Sequence, residues 1–141
     1  MADQHPTDHV GHFIWSEEFS VGVPELDSQH RKIISLINRL IDMQDAVVNS
    51  EVISETLNSM MRYTSEHLAY EEGLLDACQY PRLEAHRELH RAFLKKTTDL
   101  CMDTMRYKES VPTEVLRYLK AWWRQHILDE DRQYSTYLTR R

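Results

Sequence analysis

HLAYEEGLLDACQYPRLEAHRELHRAF, residues 67–93, decides the fold. His67 and Glu71 stand four apart, and so do His86 and His90. Between the two pairs, Cys78 to Arg82 includes Pro81 and reads as a short turn. Toward the N-terminus, Leu57, Met60 and Thr64 lead into His67, Glu71 and Leu74 at steps of three or four. Toward the C-terminus, Leu83, His86, His90, Phe93, Thr97 and Leu100 keep the same step. Side chains at that step share one face of a helix. The spacing therefore predicts helices over 51–76 and 83–107, the first with Ser50 as cap and Glu51 in its first turn.

Two more helices flank this hairpin. Leu26, His30, Ile33, Ile37 and Leu40 mark a face over 25–46, with Pro24 and Asp27 suited to its first turn. Val115, Leu119, Trp122 and His126 mark another over 112–136, after a break at Ser110–Thr113 that contains Pro112. The chain has 141 residues with only three Gly and four Pro, which suits one helical domain. The expected architecture is all-α: an up-down-up-down antiparallel four-helix bundle with an extended N-terminal arm. Residues 1–13 read as that flexible arm and 14–141 as the domain. His5, His9 and His12 in the arm read as parts of a solvated tail.

The formal net charge of −6 argues against nucleic acid and anionic membrane as partners. No apolar run approaches a membrane span, and the polar N-terminus lacks a signal core, so a cytoplasmic location is expected. Cys78 and Cys101 then read as free thiols.

Polar residues interrupt the apolar faces where a core would hold Leu or Ile. They are His30 on the first helix, His67 and Glu71 on the second, His86 and His90 on the third, and His126 with Asp131 on the fourth. A buried imidazole or carboxylate without a partner costs several kcal/mol or changes its ionisation. The start of the first helix, the end of the second, the start of the third and the end of the fourth meet at one end of such a bundle. All seven side chains therefore converge. One spacing fits poorly: His126 and Asp131 are five apart, about 140° around an ideal helix. Either the helix bulges there, or Asp131 reaches from its last turn.

Five imidazoles and two carboxylates are too many for one metal and suit two. The absence of thiolates disfavours an iron–sulfur cluster or structural zinc. The N/O set suits iron, and manganese less well. If both carboxylates bridge, the metals receive three and two histidines, and with a solvent-derived bridge one of them keeps an open position.

With these motifs in place, the sequence resembles the bacterial single-domain hemerythrins. WSEEFSVGVPELDSQHRKIISLINRL (15–40) is similar to their entry segment and first helix; HLAYEEGLL (67–75) carries HxxxE, YPRLEAHRELHRAF (80–93) carries HxxxH, and WWRQHILDEDRQY (122–134) carries HxxxxD. The resemblance implies reversible O2 binding at a non-haem di-iron centre. It implies that His86, His90 and His126 hold one iron, that His30 and His67 hold the iron where O2 binds, and that Glu71, Asp131 and an oxo or hydroxo group bridge them. Carrier, store or delivery protein is the first reading. An O2 or redox sensor acting through a separate partner is the second, and a peroxidase-type enzyme the third. Ferritin-like di-iron proteins place Glu three residues before His, and no histidine here has that neighbour. Expected partners are O2 and an unidentified oxygen-consuming or signalling protein.

Trp123 departs from the family pattern, which has a smaller aliphatic residue there. It either packs outward or narrows the pocket over the open iron and changes O2 access or autoxidation. Gly73 reads as a close helix approach or as surface variation. Tyr107, Tyr118, Tyr134 and Tyr137 read as packing or surface residues.

Overall fold

A computed structural model describes residues 9–45, 50–104 and 113–139. Helix α1 spans Pro24–Asp42, α2 Ser50–Ala77, α3 Leu83–Thr104 and α4 Thr113–His126. A π-helical segment, Ile127–Asp131, joins α4 directly to α5, Arg132–Thr139. Helix α1 packs on α2 and α4, and α3 packs on α2 and α4, which closes the four-helix bundle. The described residues contain no strand. None of their helices is long and apolar enough to cross a membrane.

The helix ends follow from local chemistry. Pro24 is the first residue of α1, where its missing N–H costs nothing. Three residues later in that turn, the Asp27 carboxylate accepts from the Val21 N–H (2.9 Å) and the Ser20 hydroxyl (2.6 Å), fixing the entry segment to the helix. Helix α1 stops at Asp42 and tightens into a 3₁₀ turn, Met43–Asp45. The expected end at 46 lies outside the described residues. Helix α2 ends in paired backbone bonds, Tyr80 N–H to Leu75 O (2.9 Å) and Gln79 N–H to Asp76 O (3.1 Å), with Gln79 left-handed at φ 58°. Tyr80 and Leu75 also pack together, as this terminating motif favours. The expected end of the third helix at 107, Tyr107 and the break at 110–112 fall outside the described residues.

The expected faces are buried, with small shifts of phase. Leu75, not Leu74, is fully buried near the end of α2. On α4, Trp123 is fully buried and Trp122 only half-buried. Trp123 therefore does not pack outward. A Cβ at Gly73 would meet nothing within 4 Å, so no close helix approach depends on that glycine.

The boundary drawn at residue 13 falls inside packed structure. Val10 and Phe13 are buried in the main core. The Gln44 side-chain amide accepts from Val10 N–H (3.0 Å) and donates to Val10 O (2.6 Å). Asn38 does the same for Phe13, at 2.7 and 3.0 Å. Of the histidines assigned to a solvated tail, His12 pairs with Asp42 and His5 lies outside the described residues.

The core has two parts. A large cluster runs from Val10 and Phe13 through Ile33, Leu57, Phe93, Leu119 and Trp123. A small one holds Val21, Leu26, Leu75, Tyr80, Leu83 and Tyr134. Leu26 precedes His30, Leu75 follows Glu71, Leu83 precedes His86 and Tyr134 follows Asp131. The small cluster thus caps the end of the bundle, and the seven polar side chains form a layer between it and the main core.

Candidate metal centre

All seven residues are brought together, each buried. Their ligand atoms fall into two groups. Glu71, His86, His90 and His126 form one, with ligand atoms within 4.8 Å of one another; His30, His67 and Glu71 form the other. Glu71 belongs to both. Its Oε1 lies 2.9 Å from His86 Nε2 and 3.2 Å from His90 Nε2. Its Oε2 lies 3.6 Å from His67 Nε2 and 3.8 Å from His30 Nε2. Asp131 also faces both groups. Oδ1 is 3.1 Å from the Nε2 atoms of His86 and His126, and Oδ2 is 3.2 Å from His30 Nε2.

Asp131 reaches this position because of the π-helical segment. A π turn takes one more residue than an α turn, so five residues return the chain to the same side. His126 is the last residue before the segment and Asp131 its last member. The awkward spacing is thus resolved by a bulge.

The layer is poorly satisfied by its own hydrogen bonds. His30 Nδ1 and Nε2, His67 Nε2, and both Asp131 oxygens are buried without a well-formed partner. His90 Nε2 and His126 Nε2 face each other at 3.2 Å. Nitrogen lone pairs turned toward one another and toward two carboxylates are what bound cations would reconcile. Cys78 and Cys101 lie outside both groups and form no disulfide. The donor set is nitrogen and oxygen alone, and it fits two iron ions.

In the absence of metal, protons must do the balancing. Burial opposes a charged His30, but Asp131 and Glu71 outweigh it and raise the imidazole to about 9. The same contest raises His86 to about 10. Burial dominates at His67 and lowers it to about 4. Burial also pushes the Glu71 carboxyl up, yet His30, His86 and His90 hold it well below the usual range. At Asp131 burial and the charge of Glu71 are outweighed by His126 and His30, and the carboxyl is again lowered.

Three residues that sequence reasoning missed orient this layer. His67 Nδ1–H donates to Gln29 Oε1 at 2.6 Å, which turns Nε2 inward. His90 Nδ1–H donates to Glu72 Oε2, also at 2.6 Å. The Tyr134 hydroxyl donates to Glu71 Oε2 at 2.7 Å. Burial, Asp131 and Glu71 raise the Tyr134 phenol well above its ordinary value, so it remains a donor. Around the layer, Trp122 stacks on His126 with centroids 4.2 Å apart. The Trp123 ring lies 5.8 Å from His67 and 6.2 Å from His30.

Fold and site together define a four-helix bundle built around a buried, histidine-rich metal-binding layer. Residues 21–138 match the family described as the hemerythrin HHE cation binding domain, and the chain belongs to the hemerythrin family. It is 29% identical to the bacteriohemerythrin of Stenotrophomonas maltophilia over 124 residues, which cover 86% of this chain and 78% of that one. It is 28% identical to myohemerythrin-1 of Phascolopsis gouldii over 131 residues, covering 92% of this chain and 98% of that one. A crystal structure of wild-type hemerythrin superposes with a TM-score of 0.82 at 25% identity, covering 89% of this chain and 97% of that one.

Proposed function

We propose that the chain binds O2 reversibly at two iron ions. His86, His90 and His126 hold one; His30 and His67 hold the other; Glu71 and Asp131 bridge them together with an oxo or hydroxo group. The carrying observation is the placement of the two carboxylates. Each faces both histidine groups, and those groups contribute three and two imidazoles. The same bridging at unequal histidine count would leave the His30/His67 position one ligand short, open to O2.

Iron supplies the reversible electron exchange with O2. The chain's part is to fix the donors and exclude water. Gln29, Glu72 and Tyr134 orient three of the ligands from behind. The two apolar clusters seal the layer on either side. The role is that of a cytoplasmic carrier, store or delivery protein serving an oxygen-consuming or signalling partner, and not that of an enzyme.

The test is metal content and absorption spectrum together. The protein, produced in iron-rich medium and reduced without air, should hold two irons per chain. Visible charge-transfer bands should appear with O2 and vanish when it is removed. Two irons that oxidise irreversibly, with no oxygenated spectrum, would move the function to redox sensing or catalysis.

A further inference from the structure

Two hydrogen-bond donors stand beside this layer with nothing to donate to. Trp123 is fully buried, and its Nε1–H has neither an acceptor among the described residues nor access to solvent. Thr64 is fully buried too, and its hydroxyl is likewise unpartnered. A threonine inside a helix readily bonds to the carbonyl one turn back, as Thr56 does to Val52 O at 2.8 Å on the same helix. Thr64 does not. Native interiors seldom leave such donors unmade, because each one forfeits the bonds it made with water.

Their position gives the reason. Thr64 precedes His67 by three residues, so it shares that face of α2 one turn deeper in the bundle. The Trp123 ring borders the same two imidazoles, 5.8 Å from His67 and 6.2 Å from His30. Those imidazoles carry Nε2 atoms without a well-formed partner among the described residues. Two residues with unpartnered donors thus neighbour the position that the di-iron reading leaves one ligand short, Trp123 by ring contact and Thr64 by its place one turn from His67.

We infer that Trp123 Nε1–H and the Thr64 hydroxyl donate hydrogen bonds to a small ligand held at the His30/His67 position. The inference rests on the di-iron reading and adds a specificity to it. A pocket walled by hydrocarbon grips a ligand only through the metal. Two donors favour ligands whose outer atoms carry negative charge, because charge-assisted hydrogen bonds are the stronger kind. Dioxygen, which gains electron density as iron gives up its own, is such a ligand. Azide is a stable anion of similar size and serves as the probe.

The experiment is an azide titration of the iron-loaded, oxidised protein, comparing wild type, Trp123→Phe and Thr64→Val. Each substitution removes one donor and keeps most of the shape. Azide binding should weaken about tenfold in each variant, equivalent to about 1.4 kcal/mol. Two spectroscopic signs should accompany it. The azide stretching frequency should shift between H2O and D2O in the wild type, and less in either variant. The Trp123 indole N–H resonance should move downfield when azide binds. If Trp123→Phe fails to fold or to take up iron, Thr64→Val decides alone. Unchanged affinity and an unchanged isotope shift, in protein that holds two irons, overturn the inference and leave the di-iron reading standing. A wild-type protein that takes up no iron fails at the first step and removes both.

Discussion

The Tyr134 hydroxyl bonds the same Glu71 oxygen, Oε2, that faces His30 and His67. The other oxygen, Oε1, faces His86 and His90. Tyr134 therefore steadies Glu71 on the side that has fewer histidines, and it does so from α5. Replacing Tyr134 with Phe leaves Oε2 without its donor in a site closed to water. Groups that orient metal ligands from behind are worth about 10- to 100-fold in metal affinity. Tyr134→Phe should lose at least tenfold in chelator competition, with one of the two irons leaving before the other. Equal affinity for both irons in the variant and the wild type would remove Tyr134 from the site.

The two histidine groups differ in what stands behind them. His67 leans on a neutral amide, Gln29, and His90 on a carboxylate, Glu72. A carboxylate behind an imidazole makes it a more basic ligand and favours the higher oxidation state of the metal it holds. Gln29→Glu keeps the reach and changes the charge. It should lower the midpoint potential of the centre and speed autoxidation by about tenfold. Potentiometric titration and the decay of the oxygenated spectrum are the readouts. A potential that does not fall would mean that Gln29 only holds the ring in place.

Trp123→Leu, set against Trp123→Phe, tests pocket size, because both variants lack the N–H and they differ in bulk. The indole is among the largest fully buried side chains and borders His30 and His67. Trp123→Leu opens space beside the position where O2 is proposed to bind. The cavity should cost about 2–4 kcal/mol of stability, measured by denaturant unfolding. Both O2 dissociation and autoxidation should become faster. If neither rate changes in a folded, iron-loaded variant, the indole does not control access.

The fold and the seven candidate ligands were legible because histidines and carboxylates interrupt apolar faces only where four helix ends meet. Even the misfit was informative. The five-residue step from His126 to Asp131 cannot lie on one side of a regular helix, and a π turn is the economical remedy. What stayed illegible depends on tertiary pairing. Gln29 and Glu72 sit next to candidate ligands in sequence and look like surface polar residues, yet each serves an imidazole on another helix. Tyr134 falls into phase with Glu71 only after the π turn has shifted the helix. Trp122 and Trp123 each continue the Leu119 face, one at a step of three and one at four, so periodicity cannot say which is buried. Val10 and Phe13 are held by the amides of Gln44 and Asn38, partners that no local pattern announces.

The metal-free protein should have a distinctive dependence on pH. The imidazoles of His30 and His86, raised from 6.5 to about 9 and about 10, hold protons more tightly in the fold than in the unfolded chain. That stabilisation is complete below about pH 6.5 and is lost as pH rises through 9 and 10. Glu71 and Asp131 run the other way: lowered in the fold, they stabilise above the ordinary carboxylate range and lose that contribution in acid. His67, lowered to about 4, adds to the acid loss, because the unfolded chain takes up its proton first. Stability should therefore peak near neutrality. Between pH 7 and pH 10, Tm of the metal-free protein should fall by on the order of 10 °C. Metal changes this, because a ligating imidazole is neutral and gives up its proton on binding. Loading at pH 7 should release about three protons, those of His30 and His86 and one from the water that becomes a hydroxo bridge. Calorimetry in buffers of different ionisation enthalpy counts them. The iron-loaded protein should then lack the alkaline loss of Tm. An equal loss with and without metal would show that metal does not displace the protons of the two histidines, and would count against their role as ligands.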